Sequence, residues 1–222
     1  MPKRRAGGER ESRVALLHAL AHIELNAVDL AWDLIARFAG ESPPREFFDD
    51  WIAVADEEAT HHQLLADRLA SLDASYGDLP AHDGLWEAAT VTAEEFLARL
   101  AVVPLVLEAR GLDVTPPMIG RLERAGDHES AAVLRQIYND EIVHVAAGRR
   151  WFDWACVRHG LEPVETYHDR VRRYFKGVLK APFNDEARAH AGLSAAFYAP
   201  LACQAREIPA ECRHTRGSRK TG

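Results

Sequence analysis

Cysteine is scarce in this 222-residue chain. Only Cys156, Cys203 and Cys212 occur, and no two form a CxxC pair. That excludes a disulfide-stapled scaffold, a structural zinc site and a rubredoxin-type iron module. An excess of positive charge is lacking too. The net charge is −7 and the pI about 5.9, so there is no general case for binding nucleic acid. No apolar run approaches the ~18 residues of a membrane span. The start, "MPKRRAGGERESR", is basic but carries no apolar stretch of the secretory kind. A soluble cytoplasmic protein is expected. Its composition, 47% hydrophobic and 27% charged, is that of a globular domain with one good core.

What the chain does have is helical periodicity. From Ser12, apolar residues Leu16, Leu17, Leu20, Ile23, Ala27, Leu30, Leu34 and Phe38 recur at spacings of three and four. Gly40 and "ESPP" end this helix, and residues 45–72 give a second, expected to lie antiparallel to the first. A Gly-, Pro- and Asp-rich crossover follows over 73–84. A third helix should begin at Leu85 or Thr92, kink at Pro104 and stop at Arg110, because "GLDVTPP" reads as a breaker. A short helix over "MIGRLERAG" comes next. The fourth long helix should run from Asp127 to His159, with Asp127 and Gly160 as its caps. A basic fifth helix is expected over 163–179, and no strand pattern stands out. The chain thus divides into a disordered basic arm (1–11), one all-α helical domain (12–200) and a disordered tail (201–222), the domain being a four-helix bundle with a long crossover and additional C-terminal helices.

Acids recur on the apolar faces of these helices. Residues three apart on a helix lie roughly 60° from one another, on one face. Glu58 and His61 make such a pair in "DEEATHH", and Glu141 and His144 another in "NDEIVH". Helix one adds the acid Glu24 and helix three adds Glu108. Glu24 precedes Glu58 by 34 residues, and Glu108 precedes Glu141 by 33, so the two halves look duplicated. Aligned on the glutamates, the halves favour Glu58/His61 over the pairings Glu57/His61 and Glu58/His62.

Four glutamates converging in a bundle core could not all stay ionised unaided, since each buried ion costs several kcal/mol. Two divalent cations would balance four carboxylates and leave both histidines neutral. Oxygen and imidazole donors suit iron or manganese, and a glutamate from each of two helices plus ExxH from each of the other two is a dimetal carboxylate ligand set.

The strings "HALAHIELNAVDLAWDLIARF", "DLPAHDGLWEAA", "VPLVLEARGLDVTP" and "DEIVHVAAGRRWF" resemble the ferritin-like superfamily. More narrowly they resemble a bacterial ferritin-like family that carries only a domain-of-unknown-function label. The resemblance covers about residues 12–200. It implies a ferritin-like bundle and a di-iron centre, with iron–manganese or manganese as alternatives, on Glu24, Glu58, His61, Glu108, Glu141 and His144. The D-E-x-x-H string at 140–144 is similar to that of bacterial multicomponent monooxygenases, in which the aspartate orients a histidine ligand. Asp140 would take that place here, with Glu57 its counterpart in the first half, and both read equally as ordinary surface acids.

Other residues have blander readings. Tyr138, three residues before Glu141, is a candidate electron or radical carrier, but a core or interhelix place is the favoured reading. His18 and His22 read as surface or interhelical, His62 as outside the site, and His82 as a loop anchor. Arg170, Arg172, Arg173, Lys176 and Lys180 read as a solvated basic face.

The function these features suggest is an O₂-dependent oxidase or hydroxylase of unknown substrate, supplied by an electron-donor protein. A modified tRNA nucleoside is one conceivable target, on the superfamily's example. A homodimer is a further expectation. The alternatives are iron handling or stress protection by a ferroxidase, and a non-catalytic helical interaction protein with a vestigial site.

Overall fold

The computed structural model describes residues 10–203, and they are almost wholly helical. Helix α1 spans Arg10–Phe38 and α2 spans Arg45–Ala70. A single 3₁₀ turn and Ser42, with φ of 50°, reverse the chain between them. Helix α3, Gly84–Val91, follows the crossover loop, and α4, Phe96–Val102, starts after a Glu95 cap on the Ala98 amide. A π-helical turn over Val103–Glu108 joins α4 directly to α5, Ala109–Arg124. Helix α6 spans His128–His159, capped by the Asp127 side chain on the Ser130 amide and closed by Gly160 at φ 64°. Helix α7 covers Pro163–Tyr174, and α8 (Asp185–His190) and α9 (Ala195–Tyr198) complete the helical set.

Several expectations need correcting. The first helix begins at Arg10, inside the stretch expected to be a disordered arm. Residues 111–117 do not break the third long helix. Gly111, Pro116 and Pro117 all lie inside α5, whose buried face includes Leu112, Thr115, Ile119 and Leu122. Packing of that face outweighs propensity. Prolines at 116 and 117 leave the carbonyls of Leu112 and Asp113 without their helical donors. The Asn184 side-chain amide takes up the Leu112 carbonyl at 3.2 Å. The fifth helix stops at Tyr174 rather than 179. Leu179–Lys180 (β1) instead pairs in parallel with Ala202–Cys203 (β2), which lies in the stretch expected to be tail. The disordered arm and tail expected over 1–9 and 204–222 lie outside the described residues.

The long helices form two antiparallel pairs, α1 with α2 and the α4–α5 run with α6, and the pairs meet chiefly along α2 and α6. Across the α2–α6 seam, partner numbers fall as they rise: Arg68 with Ser130, His61 with Asp140, His144 with Glu57 and Arg150 with Asp50. Gly148 lets α6 touch the π turn. A Cβ there would stand 2.4 Å from Pro104 Cβ, inside contact distance, so glycine is required. Arg99 is fully buried and ties α4 to its surroundings through Asp33, Thr92 Oγ1 and the Ala89 carbonyl.

Helix α1 is long and apolar enough, by length and composition, to cross a membrane, contrary to the expectation that no such stretch occurs. In the fold 56% of its most apolar window is buried, and its stripe of Leu17, Ala21, Ala27, Ala31 and Leu34 packs inward. That is how a core helix of a folded domain is placed.

Candidate metal centre

Each long helix carries an apolar stripe, and each stripe is interrupted at the same level. On α1, Leu17 and Ala21 belong to one core cluster, Ala31 and Leu34 to another, and Glu24 lies between. On α2, Val54 and Ala55 lie on one side and Leu65 and Leu69 on the other, with Glu58 and His61 between. On α6, Leu134 and Ile137 precede Glu141 and His144, and Trp151 and Phe152 follow. Glu108, on the π turn, is half-buried. Glu58, His61 and His144 are wholly inaccessible. π turns inside α-helices are frequent at functional sites, because the extra residue re-aims a side chain.

Glu58 is the hub. Its Oε1 is 3.0 Å from His144 Nδ1 and its Oε2 3.4 Å from His61 Nδ1. Glu24 Oε2 is 3.6 Å from His61 Nδ1, and Glu141 Oε1 is 3.9 Å from His144 Nδ1. One ligand atom each from Glu24, Glu58, His61 and Glu141 lies within 4.8 Å of the others. The two imidazole centroids are 5.7 Å apart.

The outer nitrogens are pinned crosswise. His61 Nε2 meets Asp140 Oδ2 at 3.0 Å, and His144 Nε2 meets Glu57 Oε2 at 2.7 Å. The carboxylate before each ExxH pair thus holds the histidine of the other pair. Each carboxylate accepts a proton-bearing Nε2, so a neutral imidazole must present the Nδ1 lone pair to the glutamates. That is the orientation of a metal-ligating histidine with its supporting carboxylate.

Electrostatics say the cluster is short of positive charge. Burial raises Glu24 to about 8 and Glu108 to about 7, and the charge of Glu58 adds to both. Glu141 is pushed well up by burial and by the charges of Glu58, Glu24 and Glu108. Burial also acts against ionisation of Glu58, but the two imidazoles facing its oxygens at 3.0 and 3.4 Å prevail and lower it to about 2. Burial disfavours both imidazolium ions, yet their carboxylate partners outweigh it and raise His61 to about 10 and His144 to about 9. Without cations, then, protons must fill the centre. Glu58 Oε1 and Oε2, Glu108 Oε2, Glu141 Oε2, His61 Nδ1 and His144 Nδ1 are all buried with no hydrogen-bond partner. Buried polar atoms are rarely left so. Six such atoms converging from five side chains fit a metal-binding donor set of carboxylate oxygen and imidazole nitrogen.

On the side away from the histidines, all four glutamates line a cavity of about 180 Å³. Its remaining walls are mostly apolar: Leu20, Ile23, Leu30, Val103, Leu107 and Ile137 among them.

Tyr138 is half-buried between the two core clusters, and its hydroxyl accepts from the Asn184 amide at 3.0 Å. No hydrogen bond among the described residues joins it to the glutamates. His18 is buried and accepts from the Gly77 and Leu79 amides, anchoring the crossover. His22 meets the Tyr76 hydroxyl, His62 meets the Ala21 carbonyl, and His82 accepts from the Gly84 amide. Arg170 of the basic stripe pairs with Glu95 and Asp169. Cys156 is a buried free thiol raised by burial to about 11, which makes it inert.

Sequence reasoning passed over Gly148, Arg99 and Arg188. Gly148 carried a signal, since a glycine inside a helix costs ~1 kcal/mol and asks for a packing reason. The two arginines carried none, because their partners lie 66 and 75 residues away in sequence.

Comparison with known proteins gives the family without a biochemical role. No solved structure matches the chain. An "Uncharacterized protein" of Haemophilus influenzae is 39% identical over 200 residues, which is 87% of this chain and 69% of that relative. Residues 1–199 match the family described as "Protein of unknown function (DUF455)", and the chain belongs to that family.

Proposed function

We propose that the chain is a dimetal carboxylate protein of ferritin-like type that oxidises or hydroxylates an organic substrate with O₂. The single observation behind this is Glu58, which offers one oxygen to each side of the centre between two imidazoles whose buried Nδ1 atoms make no hydrogen bond among the described residues. Glu24, Glu58 and His61 would hold one metal, and Glu58, Glu108, Glu141 and His144 the other. Iron is the metal preferred, with iron–manganese or manganese as alternatives. When bound, such a pair supplies Lewis acidity and the electrons that O₂ reduction needs.

The chain's own residues do the rest. Asp140 and Glu57 fix the imidazole tautomers. Because each outer carboxylate is partly exposed, the Asp140–His61 and Glu57–His144 pairs link the centre to the surface. The apolar walls of the 180 Å³ cavity keep water from the glutamates and leave room for a substrate group. That room favours substrate oxidation over iron storage, for which an apolar chamber has no use.

Reconstitution with iron tests the reading. Elemental analysis should give about two metals per chain, and mixing the reduced protein with O₂ should produce a transient absorbance change. A protein that takes up no metal would refute the proposal, and tens of irons per chain would replace it with iron handling.

A further inference from the structure

The 180 Å³ cavity beside the glutamates does not stand alone. Leu107 lines it, and Leu107 also lines a second chamber of about 300 Å³ and an outer groove of about 520 Å³. Arg110, one helical turn further on, lines both the inner cavity and the 300 Å³ chamber. The two rooms are therefore neighbours with one apolar and one cationic residue in their shared wall.

Both rooms have mostly apolar walls, and they differ in charge. The inner room is apolar up to the glutamates. The 300 Å³ chamber is lined by Arg110, Lys180 and Arg188, and by no acid. Asp113 partly offsets them, accepting from Arg188 Nε and Nη2 at 2.8 and 2.7 Å and from Arg110 Nη1 at 3.1 Å. One carboxylate against three cations leaves the chamber positive. Arg110 Nη1 is engaged by Asp113 and by the Lys180 and Pro182 carbonyls, whereas its Nε and Nη2 make no hydrogen bond among the described residues. That free edge is the fork a carboxylate takes in two parallel hydrogen bonds. A second observation is independent of it: Arg188 is 2% exposed, and its Nη1 is buried without a hydrogen-bond partner.

We propose that these rooms bind an anionic amphiphile: a carboxylate head held at Arg110 beside Arg188 and Lys180, and an apolar body reaching past Leu107 toward the four glutamates. The proposal rests on the dimetal reading for what happens to that body, though not for its binding. The inner room sets the body's size. A cavity of ~150 Å³ holds one benzene ring, so 180 Å³ takes a ring or a chain of comparable bulk. Together the two rooms reach the ~300–1,000 Å³ usual for a small-molecule site. The head lies on the cationic side and the body's far end at the carboxylates, so the position presented for oxidation is remote from the acid group.

Octanoate is the probe, titrated calorimetrically into the full-length protein, metal-free and Mn(II)-loaded, with metal counted in the same samples. Octanoate should bind with a measurable heat, octanol more weakly, and octyltrimethylammonium not at all. Leu107→Trp and Leu85→Trp, the latter on α3 where Leu85 also lines the inner room, should each weaken octanoate roughly tenfold. Arg110→Gln should weaken octanoate about tenfold while octanol changes less than about twofold. The proposal is overturned if octanoate does not bind, if both tryptophan variants bind it unchanged, or if Arg110→Gln affects acid and alcohol alike. The outcomes separate the two readings: metal uptake without octanoate binding removes only the amphiphile, and octanoate binding without metal uptake removes only the dimetal centre.

Discussion

The two halves of the molecule repeat one plan and differ in how they carry it out. In the first half Glu24 sits on a regular helix and Glu58 reaches both histidines. In the second half Glu108 sits on a π turn, and Glu141 stays 3.9 Å from His144. Sequence symmetry would make Glu58 and Glu141 equivalent. The structure makes one a hub ionised down to about 2 and raises the other well above its ordinary value. The difference teaches that a duplicated ligand pattern need not give two equal half-sites. Only one carboxylate can occupy the space between two imidazoles 5.7 Å apart, and its twin is left 3.9 Å from its own histidine.

The sharpest way to break this comparison is to neutralise each twin in turn. Glu58→Gln should abolish loading of both metals, because each would lose a ligand at once. Glu141→Gln should keep Glu58 in place and retain at least one metal per chain. Metal counting after reconstitution decides it. Equal losses in the two variants would restore the symmetry that the geometry denies.

Next in size are the outer carboxylates. Loss of such a partner typically costs ~10–100-fold in metal affinity. Asp140→Asn should act on the metal held by His61, and Glu57→Gln on the metal held by His144. Competition with a chelator would show whether each substitution weakens one metal and spares the other. An effect of either variant on both metals alike would mean the crosswise pinning is shared rather than site by site.

The metal-free centre should also reveal itself through pH. Glu24 rises from 4.5 to about 8, Glu108 from 4.5 to about 7, His61 from 6.5 to about 10 and His144 from 6.5 to about 9. A group raised on folding stabilises fully below its unfolded value and loses that contribution as pH climbs through its folded value. All four act in the same direction between about pH 4.5 and 10. Glu58 acts oppositely, but only between about 2 and 4.5. The metal-free protein should therefore melt at a lower temperature near pH 9 than near pH 6. Bound cations replace the protons, so the metal-loaded protein should show a smaller fall or none. An equally large fall in both forms would place the titration elsewhere.

Much of this centre is legible in the sequence because helical spacing is a local rule. Glu58 and His61, or Glu141 and His144, share a face whatever surrounds them. Glu24 stands out as an acid within an apolar stripe, and the Asp127 and Gly160 caps mark the ends of α6. What the sequence hides is set by contacts between distant segments. Residues 111–117 read as a breaker, since Gly, Pro and Pro each oppose a helix. The Asn184 amide, about 70 residues on, takes the carbonyl that a proline strands. The π turn is hidden for a similar reason. Pro104 announces an irregularity, but its form depends on Gly148 letting α6 close upon it and on the Tyr167 hydroxyl donating to the Leu105 carbonyl. The inequality of Glu58 and Glu141 is likewise a matter of which side chain fits between two rings, and no one-dimensional pattern contains it.

The smallest effect expected is the most informative about electron flow. Each half has a tyrosine near the ligand level, Tyr76 in the crossover and Tyr138 on α6. Tyr76 meets His22 at 2.9 Å and makes no hydrogen bond to the glutamates among the described residues. Tyr138 accepts from Asn184, whose amide also serves the Leu112 carbonyl and whose Oδ1 caps α8. Tyr138→Phe leaves Asn184 with its other partners, so stability should fall by only about 1 kcal/mol, the net worth of one hydrogen bond. Metal loading should not change. The test is the reaction of the reduced, reconstituted protein with O₂, followed by stopped-flow absorbance in the wild type and the Phe variant. Matching traces would make Tyr138 a brace between α6 and the 184 loop. A lost or altered transient with unchanged metal content and melting temperature would make it an electron carrier despite its lack of a hydrogen bond to the glutamates. The phenol would then be a further feature of the second half that has no working counterpart in the first.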